Sequence, residues 1–308
     1  MMKKLKAVAV VAVFALAMAC GSPEEAATGD SLGVMTAASD RACFVSCNMA
    51  YNSCVAASPG SMGLCSIRQQ LCYQDCGIDE SMPPSSSVTF YAVGDGNGDD
   101  SSDFYRFTYS GGVISGFVKI GETGVVLNDL ALDAYTSTFY AMGVNGSLYT
   151  LNASTGAATR RGYVGGFVNA IDFCGNVLYG WGGDTLYTLD AASGAVDVVI
   201  GSVGFSSSGD LACSLWGNLY GSGKSTSSSD ALIKINKFSG QGTRIGNFGY
   251  SGVYGFEIDQ SDKLFGAYAT SHSIVLLSVN PNTGAATPVA SYPTSAGMNG
   301  MATYNMAY

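Results

Sequence analysis

Asn176-Val-Leu-Tyr-Gly-Trp-Gly-Gly-Asp-Thr-Leu-Tyr-Thr-Leu-Asp-Ala-Ala-Ser-Gly194 contains one hairpin and the turn that follows it. Within it Thr185-Leu-Tyr-Thr-Leu-Asp190 reads as a strand that puts alternate residues on opposite faces, so that each face is half-buried between neighbouring sheets. The closing Asp-Ala-Ala-Ser-Gly is a tight turn in which Gly194 supplies a positive φ. The phrase recurs along the chain. An aromatic followed by Gly or Ala stands at Tyr91, Tyr140, Tyr179, Tyr220 and Phe265, and turn glycines follow at Gly112, Gly156, Gly194, Gly240 and Gly284. Self-similarity at about 40–50 residues, with several short strands per unit, predicts a β-propeller.

The third unit reads as four strands, at about 168–174, 177–182, 185–190 and 195–200. The first unit lacks an innermost strand, because the domain begins directly at Val88-Thr-Phe-Tyr-Ala-Val93. At the other end Met298-Asn-Gly-Met-Ala-Thr303 starts a sixth unit and stops. The expectation is a mainly β, five-bladed propeller over 88–308, closed by pairing of the N- and C-terminal strands.

The region before it reads differently. Lys3, Lys4 and Lys6 precede an apolar run from Ala7 to Met18, too short to span a bilayer. The run ends Leu16-Ala-Met-Ala-Cys20, which resembles the lipobox of bacterial lipoproteins, with Leu16 one position further from the cysteine than is usual. The resemblance implies a signal peptide over 1–19, lipidation of Cys20 and a membrane anchor through that lipid; an ordinary secreted protein cut near Ala19 is the alternative. Gly21 after the cysteine implies, by the same resemblance, the outer membrane. Residues 20–39 read as a flexible tether.

The remaining cysteines are even in number, as an oxidising compartment requires. Six follow the palindrome Cys-x3-Cys-x6-Cys-x10-Cys-x6-Cys-x3-Cys between Cys43 and Cys76. On a helix, Cys43, Cys47 and Cys54 share one face within about 40°, and Cys65, Cys72 and Cys76 do the same. With a break at Ser58-Pro-Gly-Ser-Met-Gly63, a stapled helical hairpin over 40–77 would pair Cys43 with Cys76, Cys47 with Cys72 and Cys54 with Cys65. A thiolate metal cluster is the competing reading. The pattern resembles disulfide-stapled hairpins of exported peptides and coiled-coil-helix proteins. Residues 78–87 are a linker. Cys174 and Cys213 sit at matching places in consecutive units and are expected to bridge them, against two independent buried thiols.

A net charge of −9 argues against nucleic acid and against anionic lipid surfaces as partners. Gly221-Ser-Gly-Lys-Ser-Thr226 lacks the first glycine of a phosphate loop, since Asn218 stands there. Asp95, Asn97, Asp99 and Asp103 alternate as in a calcium loop, but Asp100 replaces the turn glycine and Arg106 the bidentate Glu; a solvated acidic loop competes. The innermost strands open with Asn128-Asp129, Asn169, Asp210, Tyr254 and Asn299, and Asp172 and Glu257 follow. Such a ring could hold a cation, a sugar or a peptide end, or cap strand ends and channel water. His272 is the single histidine, so histidine metal clusters and a Ser-His-Asp triad are disfavoured.

Together the repeats resemble bacterial envelope propellers of quinoprotein-like and YVTN type. The repeat signal specifies fold more than function, and the leading reading is a non-catalytic, lipid-anchored binding or scaffold protein whose partners are envelope proteins or glycans. Two alternatives stay open. One is a glycoside hydrolase using Asp129, Asp172, Asp210 and Glu257; the other is a lectin stacking sugars on Trp181, Tyr220 and Tyr268.

Overall fold

The computed structural model describes residues 87–95, 100–164, 167–226 and 229–304. The lipidation cysteine Cys20, the tether and the six-cysteine hairpin lie outside the described residues. Five antiparallel four-stranded sheets make up the propeller. Blade 1 holds β1 (Ser87–Asp95), β2 (Ser102–Ser110) and β3 (Val113–Glu122), and takes β20 (Gly300–Thr303) from the far end of the chain. Blade 2 is β4 (Leu127–Asp133), β5 (Thr138–Gly143), β6 (Ser147–Leu151) and β7 (Ala158–Tyr163). Blade 3 is β8 (Ala170–Cys174), β9 (Val177–Gly182), β10 (Thr185–Leu189) and β11 (Val196–Ser202). Blade 4 is β12 (Ser207–Cys213), β13 (Leu219–Thr226), β14 (Ser229–Ile235) and β15 (Gly242–Asn247). Blade 5 is β16 (Gly255–Ile258), β17 (Leu264–Ala269), β18 (Ser273–Val279) and β19 (Ala286–Pro293).

Strands β4, β8, β12, β16 and β20 are innermost, and each touches the next around a ring. In blade 1, β20 pairs with β1 in the register Phe90↔Thr303 to Val93↔Gly300. The segment 221–226 noted for its likeness to a phosphate loop is strand β13, not a loop before a helix.

The outer hairpins explain the recurring turn. Asn152, Asp190, Asn236 and Asn280 each accept, at the side-chain oxygen, the N–H two residues on: those of Ser154, Ala192, Phe238 and Asn282, at 2.8–2.9 Å. Each backbone carbonyl then takes the N–H of the glycine four residues on, and those glycines have φ of 71–80°. Blade 1 uses Gly111-Gly112 instead, both at positive φ.

A second glycine set fastens blade to blade. A Cβ on Gly121, Gly162 or Gly246 would overlap the carbonyl oxygen of Thr155, Ser193 or Thr283, respectively, in the turn of the following blade. Gly201 meets Ser239 O in the same way at 2.7 Å. These outer-strand glycines let one blade's turn lie against the previous blade's backbone.

Hydrophobic residues fill the spaces between blades, one cluster per interface. Trp181, Leu186, Leu211 and Ile233 lie between blades 3 and 4, where Cys174 and Cys213 form a disulfide with Cα atoms 5.3 Å apart. Phe90, Phe107, Phe265 and Met301 lie between blades 5 and 1. Alternation along each strand delivers one residue to each adjoining interface.

Candidate functional site

The innermost strands carry four carboxylates at the axis. Asp129 and Asp210 are fully buried, and Asp172 and Glu257 are nearly so. Their acceptor oxygens are directed across blade boundaries. Asp129 Oδ2 of blade 2 accepts the Ile171 N–H of blade 3 at 2.6 Å. Asp172 Oδ2 accepts the Cys213 N–H of blade 4 at 2.8 Å, and Asp210 Oδ2 accepts the Phe256 N–H of blade 5 at 2.6 Å. Glu257 Oε2 of blade 5 accepts the Thr303 N–H of β20 at 3.0 Å. Asp210 Oδ2 also lies 3.4 Å from the Met301 nitrogen, two blades on, so side chains fill the axis at this level. At the remaining boundary the Asn299 side-chain amide donates to Leu127 O at 3.0 Å.

Burial dominates the electrostatics. It raises the carboxyl pKa of Asp129, Asp210 and Glu257 well above the ordinary range, and the charges of Asp172 and Asp129 add to their neighbours' shifts, while the N–H donors work the other way. Asp172 is pushed up to about 8, by desolvation first. Asp210 Oδ1 is buried without a hydrogen-bond partner.

The mouth of the ring is an amide and aromatic rim. Asn128 and Asn169 are half-buried at the strand entrances, and Asn169 Oδ1 is buried with no protein partner. Tyr254 is 45% exposed and lies over Gly209. Asn299 is held by Leu127 O and, at 3.4 Å, by Asp95 Oδ1. The predicted ring residues are therefore brought together in two tiers, polar amides above and carboxyls below.

Asp95, at one end of the acidic stretch, lies on the same side, against Asn299. Asp95 Oδ1 accepts from Ser102 Oγ at 3.2 Å. Asp103 is buried, with its oxygens on Lys119 Nζ and Tyr105 Oη, both at 2.8 Å. A calcium ion at Asp103 would have to displace the Lys119 ammonium. Asn97 and Asp99, the other predicted ligands, lie outside the described residues. No cluster of metal-binding side chains occurs among the described residues.

One predicted surface is overturned. Trp181 has no exposure and its ring lies against Gly221 and Gly223, so it offers no face to a sugar. Glycine at both positions is what makes room for the indole. Tyr268 stacks on Tyr250, and the Tyr220 ring lies under Lys234 Nζ; both tyrosines are half-buried.

No protein-family model matches the chain, and no curated protein is detectably similar to it. Several solved structures are similar to parts of the chain. A protein of unknown function from Bacteroides thetaiotaomicron is 16% identical, at a TM-score of 0.47 over 73% of this chain and 66% of that one. A gluconolactonase from Xanthomonas campestris is 10% identical, with a TM-score of 0.42 over 71% of this chain and 91% of that one. BamB from Moraxella catarrhalis is 14% identical, with a TM-score of 0.34 over 66% and 70% of the two chains. None of these likenesses bears on the chemistry of this chain's site.

Proposed function

We propose that the propeller is a non-catalytic binding module, held at the outer membrane through lipid on Cys20, whose axial mouth receives an envelope protein or glycan. The observation that carries this reading is the engagement of the axial carboxylates. Each spends an oxygen on the backbone of another blade, and none is more than 7% exposed. A hydrolase needs one protonated and one ionised carboxyl facing the same reachable bond. Here the groups free to meet a ligand are the rim residues Asn128, Asn169, Tyr254 and Asn299. On the same reading, the pairing of β20 with β1 holds the ring shut, the six-cysteine hairpin stands between anchor and propeller, and calcium at the loop from Asp95 to Asp103 is an accessory to the rim.

The test is a panel of envelope glycans and extracts, scored for saturable binding and for turnover, with and without calcium. Binding without turnover is expected. Asn169→Ala and Tyr254→Ala should weaken it, and Asp172→Asn and Glu257→Gln should leave no activity to lose. Glycan hydrolysis by the parent that vanishes in either carboxyl variant overturns the reading. Detergent-phase partitioning of Cys20→Ser tests the anchor separately: retention in the detergent phase would refute it.

A further inference from the structure

A cavity of about 330 Å³ opens at the side of blade 4, between the turn entering β13 and the turn joining β14 to β15. Leu219, on its wall, pairs with Cys213 and Ile235 at the strand ends remote from the axial entrances. The chain carries 23 acidic and 14 basic residues, yet the cavity is lined by Lys234 and Lys237 and by no acid. The ion pairs among the described residues are those of Lys119, so neither cavity lysine has a carboxylate partner. Lys237 is half-buried, with Nζ 3.5 Å from Cys174 Sγ of the disulfide, a contact that leaves its charge unbalanced. Leu219 and Ile235 are buried apolar wall, whereas Phe238 at the rim is 80% exposed.

We propose that this cavity binds a small organic carboxylate with a flat apolar body, its charge on Lys237 and its body against Phe238. The size lies at the lower end of the range for small-molecule sites, which suits a single-ring ligand. One inward ammonium balances one negative charge, and the apolar wall favours a carboxylate on a hydrophobic body over a bare inorganic anion. Burial draws the Lys237 pKa below its ordinary value, and an anion beside it favours the charged form. The site is independent of the axial mouth, and either can fail without the other.

Calorimetric titration of the full chain with benzoate, benzamide and inorganic phosphate tests the assignment. Benzoate should saturate, and benzamide should bind about tenfold more weakly or worse, the weight of one hydrogen bond to a charged group. Lys237→Gln should lose benzoate binding to the same degree with an unchanged melting temperature. Lys237→Arg should recover most of it, and Phe238→Ala should weaken it several-fold. Lys224→Gln, exposed and outside the cavity, should change nothing. Absence of saturable benzoate binding, equal affinity for benzamide, an unaffected Lys237→Gln, or phosphate binding more tightly than benzoate would each overturn the proposal.

Discussion

The boundary between blades 5 and 1 is built unlike the other four, because the chain carries only β20 across it while the other three strands of blade 1 come from the start of the propeller. At those four, an outer-strand glycine takes the next blade's turn against its backbone. At the seam the corresponding turn glycine, Gly112, only reaches ordinary contact with Val289 O, at 3.8 Å. Rings fill the seam, as they also do between blades 1 and 2, where Tyr91, Phe104 and Phe139 meet. Phe117 stacks on Tyr292 at 4.8 Å and on Phe107 at 5.8 Å, and Phe265 meets Phe90 and Tyr109 edge-on. Continuous chain brings neighbouring blades together at no extra loop-closure cost, so backbone shape alone can set their approach. Where the first and last segments meet, that close backbone approach is missing and buried side-chain area alone joins the blades.

The sharpest way to break this contrast is to remove the strand that crosses it. Deleting 297–308 strips β20 from blade 1, removes the Thr303 N–H that Glu257 holds, and exposes the inner edge of β1. Aggregation or loss of cooperative melting is the expected outcome. A small shift in melting temperature, equal to that from deleting 21–38, would mean that β20 does not hold the ring.

A milder probe compares the two kinds of boundary directly. Phe90→Ala empties the centre of the seam and should cost about 3–5 kcal/mol in denaturant unfolding. Gly162→Ala forces the turn at Ser193 away from β7 and should cost about 1–3 kcal/mol, the range for overpacking. Were the glycine variant neutral, the close approach of turn to strand would carry no weight at the continuous boundaries.

The smallest effect per step is a pH dependence shared by all the carboxylate-linked boundaries. In the unfolded chain these carboxyls titrate near 4, whereas Asp172 in the folded state does so at about 8 and the others are also raised. Below the unfolded value both states hold the proton and stability is undiminished. As pH climbs towards the folded value the unfolded state releases its proton first, so stability falls by about 1.4 kcal/mol per pH unit for each proton retained. Melting temperature should therefore decline from mildly acidic to mildly alkaline pH. Asp172→Asn, which keeps an oxygen for the Cys213 N–H, should flatten that decline. A parent curve that rises with pH would show these carboxyls to be ionised within the fold.

The blades were legible because periodicity is written in side chains. The column from Tyr91 to Phe265 and its turn glycines mark the strands, and the strands expected at 177–182 and 185–190 fall at Val177–Gly182 and Thr185–Leu189. The matched positions of Cys174 and Cys213 likewise foretold their bridge. The carboxylates could be placed on the inner strands but not given their role, since the groups they hold are backbone N–H donors one blade further on, and every residue but proline has one. Gly121, Gly162, Gly201 and Gly246 were illegible for the same reason, because each is explained by another blade's carbonyl oxygen. The lysine cavity depends on the register that aligns Leu219 with Ile235, which no local pattern encodes.

The hand-over of oxygen to N–H at the axis has a direction. Asp129 serves the blade that follows it in the chain, as do Asp172 and Asp210, and Glu257 passes the role to β20. Blades 3, 4 and 5 are thus each a receiver on one side and a giver on the other, head-to-tail units whose copies are interchangeable in their joints. A tandem duplication of one of these blades would reproduce both joints intact, with a new giver for every new receiver. Duplicating blade 1 would not, because its inner strand and its outer three arrive from opposite ends of the propeller sequence. Growth or shrinkage of such a ring by whole repeats is accordingly open in the middle of that sequence and barred at its margins.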